Sequence, residues 1–101
     1  MNKELAMHAA EILKAVAHPL RLQIVEVLAE NERSVGEIAK VLGEKQAITS
    51  QQLALMKDKG VLTSRREGAR VYYRIRNRSV VRVLNCVHDH CEPGTKVRGR
   101  R

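Results

Sequence analysis

The chain contains no tryptophan, no phenylalanine and only two tyrosines among its 101 residues. Its core must therefore be aliphatic. The only cysteines, Cys86 and Cys91, are too few for a disulfide framework, which makes a reducing compartment the default. No stretch approaches the roughly 20 apolar residues that a membrane span needs, and Met1 to Met7 lack an apolar signal core. The expectation is a protein of a bacterial or archaeal cytoplasm with no membrane partner. There is no internal repeat, and no nucleophile–base set, phosphate-cradling glycine loop or complete metal site is legible, so no enzyme activity is assigned.

Acidic residues are also scarce. Nineteen lysines and arginines face eleven aspartates and glutamates, for a net charge of +8, which points to a polyanionic partner such as nucleic acid. Half of that excess lies in Pro93 to Arg101, where Lys96, Arg98, Arg100 and Arg101 stand without an acid. Those residues are expected to form a disordered basic tail behind one folded domain, residues 1–92.

What is present is a succession of helical patterns followed by a basic hairpin. From Asn2 to about Ala17, Leu5, Ala9, Ile12, Leu13 and Val16 form one broad apolar stripe. Pro19 opens a second helix with Leu20, Ile24, Val27 and Leu28 inward, and Asn31 to Arg33 form a loop. Ser34 and Glu37 make a capping box for a third helix that carries Val35, Ile38, Ala39 and Leu42 and stops at Gly43. A fourth runs from about Lys45 to Lys59, with Thr49, Leu53 and Met56 at i, i+4 and i+7 and Gly60 as its stop. Leu62 to Arg66 and Arg70 to Arg76 are strands joined by Glu67, Gly68 and Ala69. Asn77 caps a last helix that ends near Cys91. The fold class is mainly α with a small two-stranded β-wing, a winged helix-turn-helix in the order α-α-α-α-β-β-α.

The outer face of the fourth helix is short, polar and rich in amides: Gln46, Ala47, Thr49, Ser50, Gln51 and Gln52. Such side chains can read base edges in a DNA major groove, since glutamine pairs bidentately with adenine, serine reads several edges and alanine can touch a thymine methyl. Polar helix faces are more often merely solvated. The hairpin favours the DNA reading, because Arg65, Arg66 and Arg70 cluster near its tip, where guanidinium groups suit phosphate or minor-groove contact. A winged-helix module that binds protein or RNA is the alternative. The first and last helices carry more apolar surface than one such motif needs, which points to a symmetric homodimer.

Leu13-Lys14-Ala15-Val16-Ala17-His18-Pro19-Leu20-Arg21-Leu22, Ser34-Val35-Gly36-Glu37-Ile38-Ala39 and Glu67-Gly68-Ala69-Arg70-Val71-Tyr72-Tyr73, with Gln46, Ser50, Leu53 and Gly60-Val61-Leu62, closely resemble the ArsR family of bacterial repressors. The resemblance implies a homodimer with the first and last helices at its interface, bound to an inverted-repeat operator until an inducer releases it. It places base reading on Gln46, Ala47, Ser50 and Gln51. Lys45 stands where the family often has a capping serine, and Gln51-Gln52 replaces a frequent His-His or Arg-His pair.

The family's known sensing sites are largely missing. Ser34-Val35-Gly36 replaces a metal-binding Cys-Val-Cys. Asn77, Ser79, His90 and Pro93 occupy the positions of a zinc site and retain only the histidine. No early cysteine matches that of the persulfide sensors. The remaining candidate for metal or thiol sensing is the run containing Cys86, His88, Asp89, His90 and Cys91. On a helix, Cys86, Asp89 and His90 share one face, while His88, Cys91 and Glu92 share another. Either set could offer ligands to Zn²⁺ or another thiophilic ion, completed by a second protomer or by His8. Sulfurs at i and i+5 point about 140° apart, which disfavours a disulfide within the helix. The bland alternative is that Cys86 is a small buried hydrophobe at the dimer interface and the histidines are solvated.

Overall fold

The computed structural model describes residues 1–90. Cys91, Glu92 and the basic segment 93–101 lie outside the described residues. Five helices and three strands run in the order α1 (Lys3–Val16), α2 (Pro19–Leu28), β1 (Arg33–Ser34), α3 (Val35–Leu42), α4 (Gln46–Asp58), β2 (Leu62–Glu67), β3 (Arg70–Ile75) and α5 (Ser79–His90).

Local chemistry sets most of these boundaries. Asn2 caps α1, its Oδ1 accepting from the Leu5 N–H at 2.7 Å. His18 caps α2, with Nδ1 accepting from the Leu20 N–H at 3.1 Å and Pro19 in the first turn. The expected capping box is formed: the Ser34 hydroxyl accepts from the Glu37 N–H at 3.2 Å, and Glu37 Oε1 accepts from the Ser34 N–H at 2.8 Å. Gly43 ends α3 in the left-handed region at φ 65°, which glycine adopts without a Cβ penalty. Asn77 Oδ1 accepts from the Ser79 N–H at 3.0 Å as α5 begins.

The expected hairpin of β2 and β3 is formed, and a two-residue strand joins it. Arg33, expected in a loop, and Ser34, expected as a helix cap, form this strand, giving the sheet order β1-β3-β2 with Arg33 opposite Tyr73 and Ser34 opposite Tyr72. Two residues are too few to show a period of two, so the strand is specified by its distant partner. Ser34 thus ends a strand and caps a helix, which fixes the start of α3 beside the middle of β3.

The core is aliphatic apart from Tyr73. Ile24, Val25 and Leu28 of α2, Ile38 of α3, Leu53 and Met56 of α4, and Val61 and Leu62 at the start of β2 are essentially inaccessible. Each full burial of this kind contributes roughly 1.5–3 kcal/mol, which suffices to clamp α3 and α4 against the sheet. α1 and α5 are different. Leu5, Met7, Leu13, Val83 and Val87 are all more than 40% exposed, and an apolar groove of about 350 Å³ runs between the two helices, lined by Ile12, Leu13, Val16, Val80 and Val83.

Ser34→Ala is expected to destabilise the domain by about 1 kcal/mol in a denaturant titration, the usual effect of deleting a capping hydroxyl. The box also has a pH signature. The Ser34 N–H, above all, holds the Glu37 carboxyl below its ordinary value of 4.5. A depressed carboxylate contributes stability that is complete above that ordinary value and is lost as pH falls through the lower folded-state value. The acid limb of the stability profile should therefore flatten in Glu37→Gln.

Candidate nucleic-acid interface

Helix α4 begins at Gln46 without a side-chain cap, because Lys45 offers no acceptor. The first N–H groups of a helix have no partners within it, and their partial positive charge favours an anion. This open end faces a cleft of about 630 Å³ between α4, the start of α3 and the tip of the wing. Gln46, Ala47 and Ser50 form one wall, Lys40 stands on the α3 side, and Ala69, Arg70 and Val71 form the wing side. Gln51 is exposed on the same helix. The cleft combines side chains that can read base edges with cations and a helix N-terminus that suit a phosphate. Its acid, Glu37, has one oxygen committed to the Ser34 backbone.

Thr49 is a correction. Expected on the outer face with Ser50 and Gln51, it is fully buried, and its hydroxyl donates to the Lys45 carbonyl at 2.9 Å. The i, i+4, i+7 spacing with Leu53 and Met56 determines its direction, so Thr49 cannot reach a base. Gln52 also leaves the outer face. It is half-buried, and its Oε1 accepts from Arg21 Nε at 2.8 Å, a bond that ties α4 to α2.

The three wing arginines do not act as one cluster. Successive residues of a strand point to opposite faces, and the register pairs Arg65 with Tyr72 on one face and Arg66 with Val71 on the other. Arg66 and Arg70 are exposed and, among the described residues, form no ion pair. Arg65 is engaged instead. Its Nε lies 3.2 Å from both carboxylate oxygens of Glu32, Nη2 also donates to Glu32, and Nη1 is 2.7 Å from Glu67 Oε2. The guanidinium carbon sits 4.8 Å from the centre of the Tyr72 ring. Glu32 is 33 residues away in sequence, and no local pattern signals the pairing.

On α5, Cys86 is exposed in the protomer. His88 Nδ1 is 3.8 Å from Asp89 Oδ1, and both side chains are exposed, as is His90. Among the described residues no three histidine, cysteine, aspartate or glutamate side chains come close enough to hold a metal ion. Cys91 lies outside the described residues. His8 lies along the α1–α5 groove. No described helix is long and apolar enough to cross a membrane.

Comparison with known proteins agrees with this geometry. Residues 18–64 match the family model described as "Bacterial regulatory protein, arsR family". The chain is 39% identical over 80 residues to the HTH-type transcriptional regulator YgaV of Escherichia coli, covering 78% of this chain and 81% of that protein. Among solved structures it resembles the homodimeric winged helix-turn-helix DNA-binding domain of Mb0332 from Mycobacterium bovis, with a TM-score of 0.75, 38% identity, and 85% and 80% of the two chains covered. It also resembles the transcriptional repressor BigR of Xylella fastidiosa, with a TM-score of 0.80, 32% identity, and 91% and 99% covered.

Proposed function

We propose that this chain, which belongs to the ArsR family of bacterial regulatory proteins, is a homodimeric repressor that holds an inverted-repeat operator and lets go of it when an inducer binds. Membership makes it a DNA-binding regulator of transcription. The observation that carries the finer reading is the cleft at the uncapped start of α4, where Gln46, Ala47 and Ser50 stand between Lys40 and Arg70. Inserted in a major groove, the helix offers Gln46, Ala47, Ser50 and Gln51 to base edges, while Arg66 and Arg70 reach the flanking backbone. The apolar faces of α1 and α5 join two copies. A two-fold dimer presents two such helices, and an inverted repeat matches that symmetry.

Release is assigned to the exposed end of α5. Cys86, His88, Asp89 and His90 offer a thiol, imidazoles and a carboxylate, a donor set suited to Zn²⁺ or another thiophilic ion when two copies share it.

The test is titration of operator fragments across a salt series, with and without Zn²⁺. Lys40, Lys45, Arg66 and Arg70 give eight cations per dimer, so log K should fall with log salt at a slope of about −7, and doubling the salt should weaken binding about 10²-fold. A flat response would remove the phosphate contacts. Zn²⁺ should weaken binding by wild type and not by Cys86→Ser. Equal responses of the two proteins would remove the α5 site.

A further inference from the structure

Arg65 occupies the middle of β2, with Tyr72 of the central strand β3 beside it and β1 beyond. Its side chain crosses the sheet. It passes over the Tyr72 ring and ends on Glu32, the residue that leads into β1 at the opposite edge, while its remaining nitrogen holds Glu67 near the wing tip. All three guanidinium nitrogens are occupied. Isolated surface ion pairs contribute little, but a planar fork fixed bidentately on one carboxylate, bound to a second and bedded on an aromatic face is the exception. The carboxylate of Glu32 is held below the usual range, first by its hydrogen bond from Arg65, and the guanidinium is correspondingly harder to deprotonate.

We propose that Arg65 is a positioning residue for DNA binding: it braces the wing against the β1 edge through Tyr72 and Glu32, sets where Arg66 and Arg70 stand relative to α4, and neutralises no phosphate itself. This inference rests on the DNA-binding reading above. Two observations carry it. The first is where the brace acts. Tyr73 and Ile75 are buried and Val71 packs against the core, but Arg65, Arg66, Glu67 and Arg70 at the outer end of the hairpin are exposed. A short hairpin without packing is marginal in water, so its outer half needs another restraint, and the brace supplies one where the core runs out. The second is engagement. The Arg65 guanidinium is already bound to two carboxylates, whereas Arg66 and Arg70 have no ion pair among the described residues.

The experiment compares Arg65→Gln, Arg65→Lys, Glu32→Gln, the Arg65→Gln/Glu32→Gln double variant and Arg66→Gln in operator titrations over a salt series. Glu30→Gln controls for loss of an acid from the same loop. Hydrogen exchange of the wing amides is followed in the free proteins. Arg65→Gln and Glu32→Gln should each weaken operator binding about three- to tenfold, and the double variant should be no weaker than either. Their salt slopes should match wild type, while Arg66→Gln should lose about 0.9 of slope per contact. Arg65→Lys should not rescue, because an ammonium cannot span Glu32 and Glu67 in one plane. Wing amides should exchange faster in both single variants.

A shallower slope in Arg65→Gln that Arg65→Lys restores would overturn the proposal, as would a gain of affinity in Glu32→Gln beyond that in Glu30→Gln. Either result would make Arg65 a phosphate ligand. If wild type bound no operator, the DNA-binding reading would fail alone, and wing exchange unchanged by Arg65→Gln would overturn the brace independently.

Discussion

Replacing Ser50 and Gln51 together by alanine is expected to erase the preference for operator over random duplex while leaving nonspecific binding nearly intact. Each well-made base contact discriminates by roughly 1–3 kcal/mol, so losing two lowers affinity for one half-site about 30-fold to 10⁴-fold, and the dimer suffers that loss at both half-sites. The cations Lys40, Lys45, Arg66 and Arg70 are untouched, and they account for the affinity for any duplex. Misfolding would not explain the loss. Both side chains are exposed, and alanine is the best helix former, so α4 should be at least as stable as before. Competition between operator and scrambled fragments at one salt concentration reads the ratio directly. A ratio as high as that of wild type would mean that specificity comes from DNA shape or from another face of the protein. Thr49→Ser serves as a contrast: it keeps the hydroxyl that bonds to Lys45 and should leave specificity unchanged, because Thr49 faces the core.

How far the sequence reached depended on the distance over which each feature is specified. Ser34 with Glu37, Gly43, and the stripe of Leu53 and Met56 are decided within a turn or two of helix, and periodicity and capping chemistry locate them. Thr49 shows how that reading can mislead: a hydroxyl looks polar, yet its own phase on α4 places it inward, where it bonds to the backbone one turn back. β1 and the Arg65 brace were not legible. Arg33 and Ser34 become a strand only because Tyr72 and Tyr73 arrive beside them, and Glu32 holds Arg65 across 33 residues. Composition alone made Arg65, Arg66 and Arg70 look like a single cationic tip. Strand alternation separates Arg66 from the other two, and the carboxylates of Glu32 and Glu67 engage Arg65 and leave Arg70 without an ion pair among the described residues.

Val83→Glu is expected to convert the dimer to a monomer without unfolding the protomer, and with it to weaken operator binding about 10²-fold to 10⁴-fold. The size follows from symmetry. In an isologous interface one substitution appears twice, so two carboxylates would enter the apolar seam of α1 and α5, whose groove residues include no lysine or arginine. Val83 is 44% exposed in the protomer, and glutamate is a good helix former, so the protomer should tolerate the change. Operator affinity falls because two half-sites held by one dimer bind at high effective concentration, whereas two monomers must find them separately. The same variant should bind a single half-site about as well as a wild-type protomer does, which separates loss of the dimer from loss of the reading helix. Light scattering gives the oligomeric state, and paired titrations of full operator and half-site give the ratio. Leu13→Glu, on the facing wall of the same groove, should behave alike, since both residues are exposed in one copy. If both variants remained dimeric and bound operator like wild type, α1 and α5 would not be the seam. The exposed apolar side chains Leu5, Met7, Leu13, Val83 and Val87 would then need another partner, and the inverted repeat would lose its structural basis.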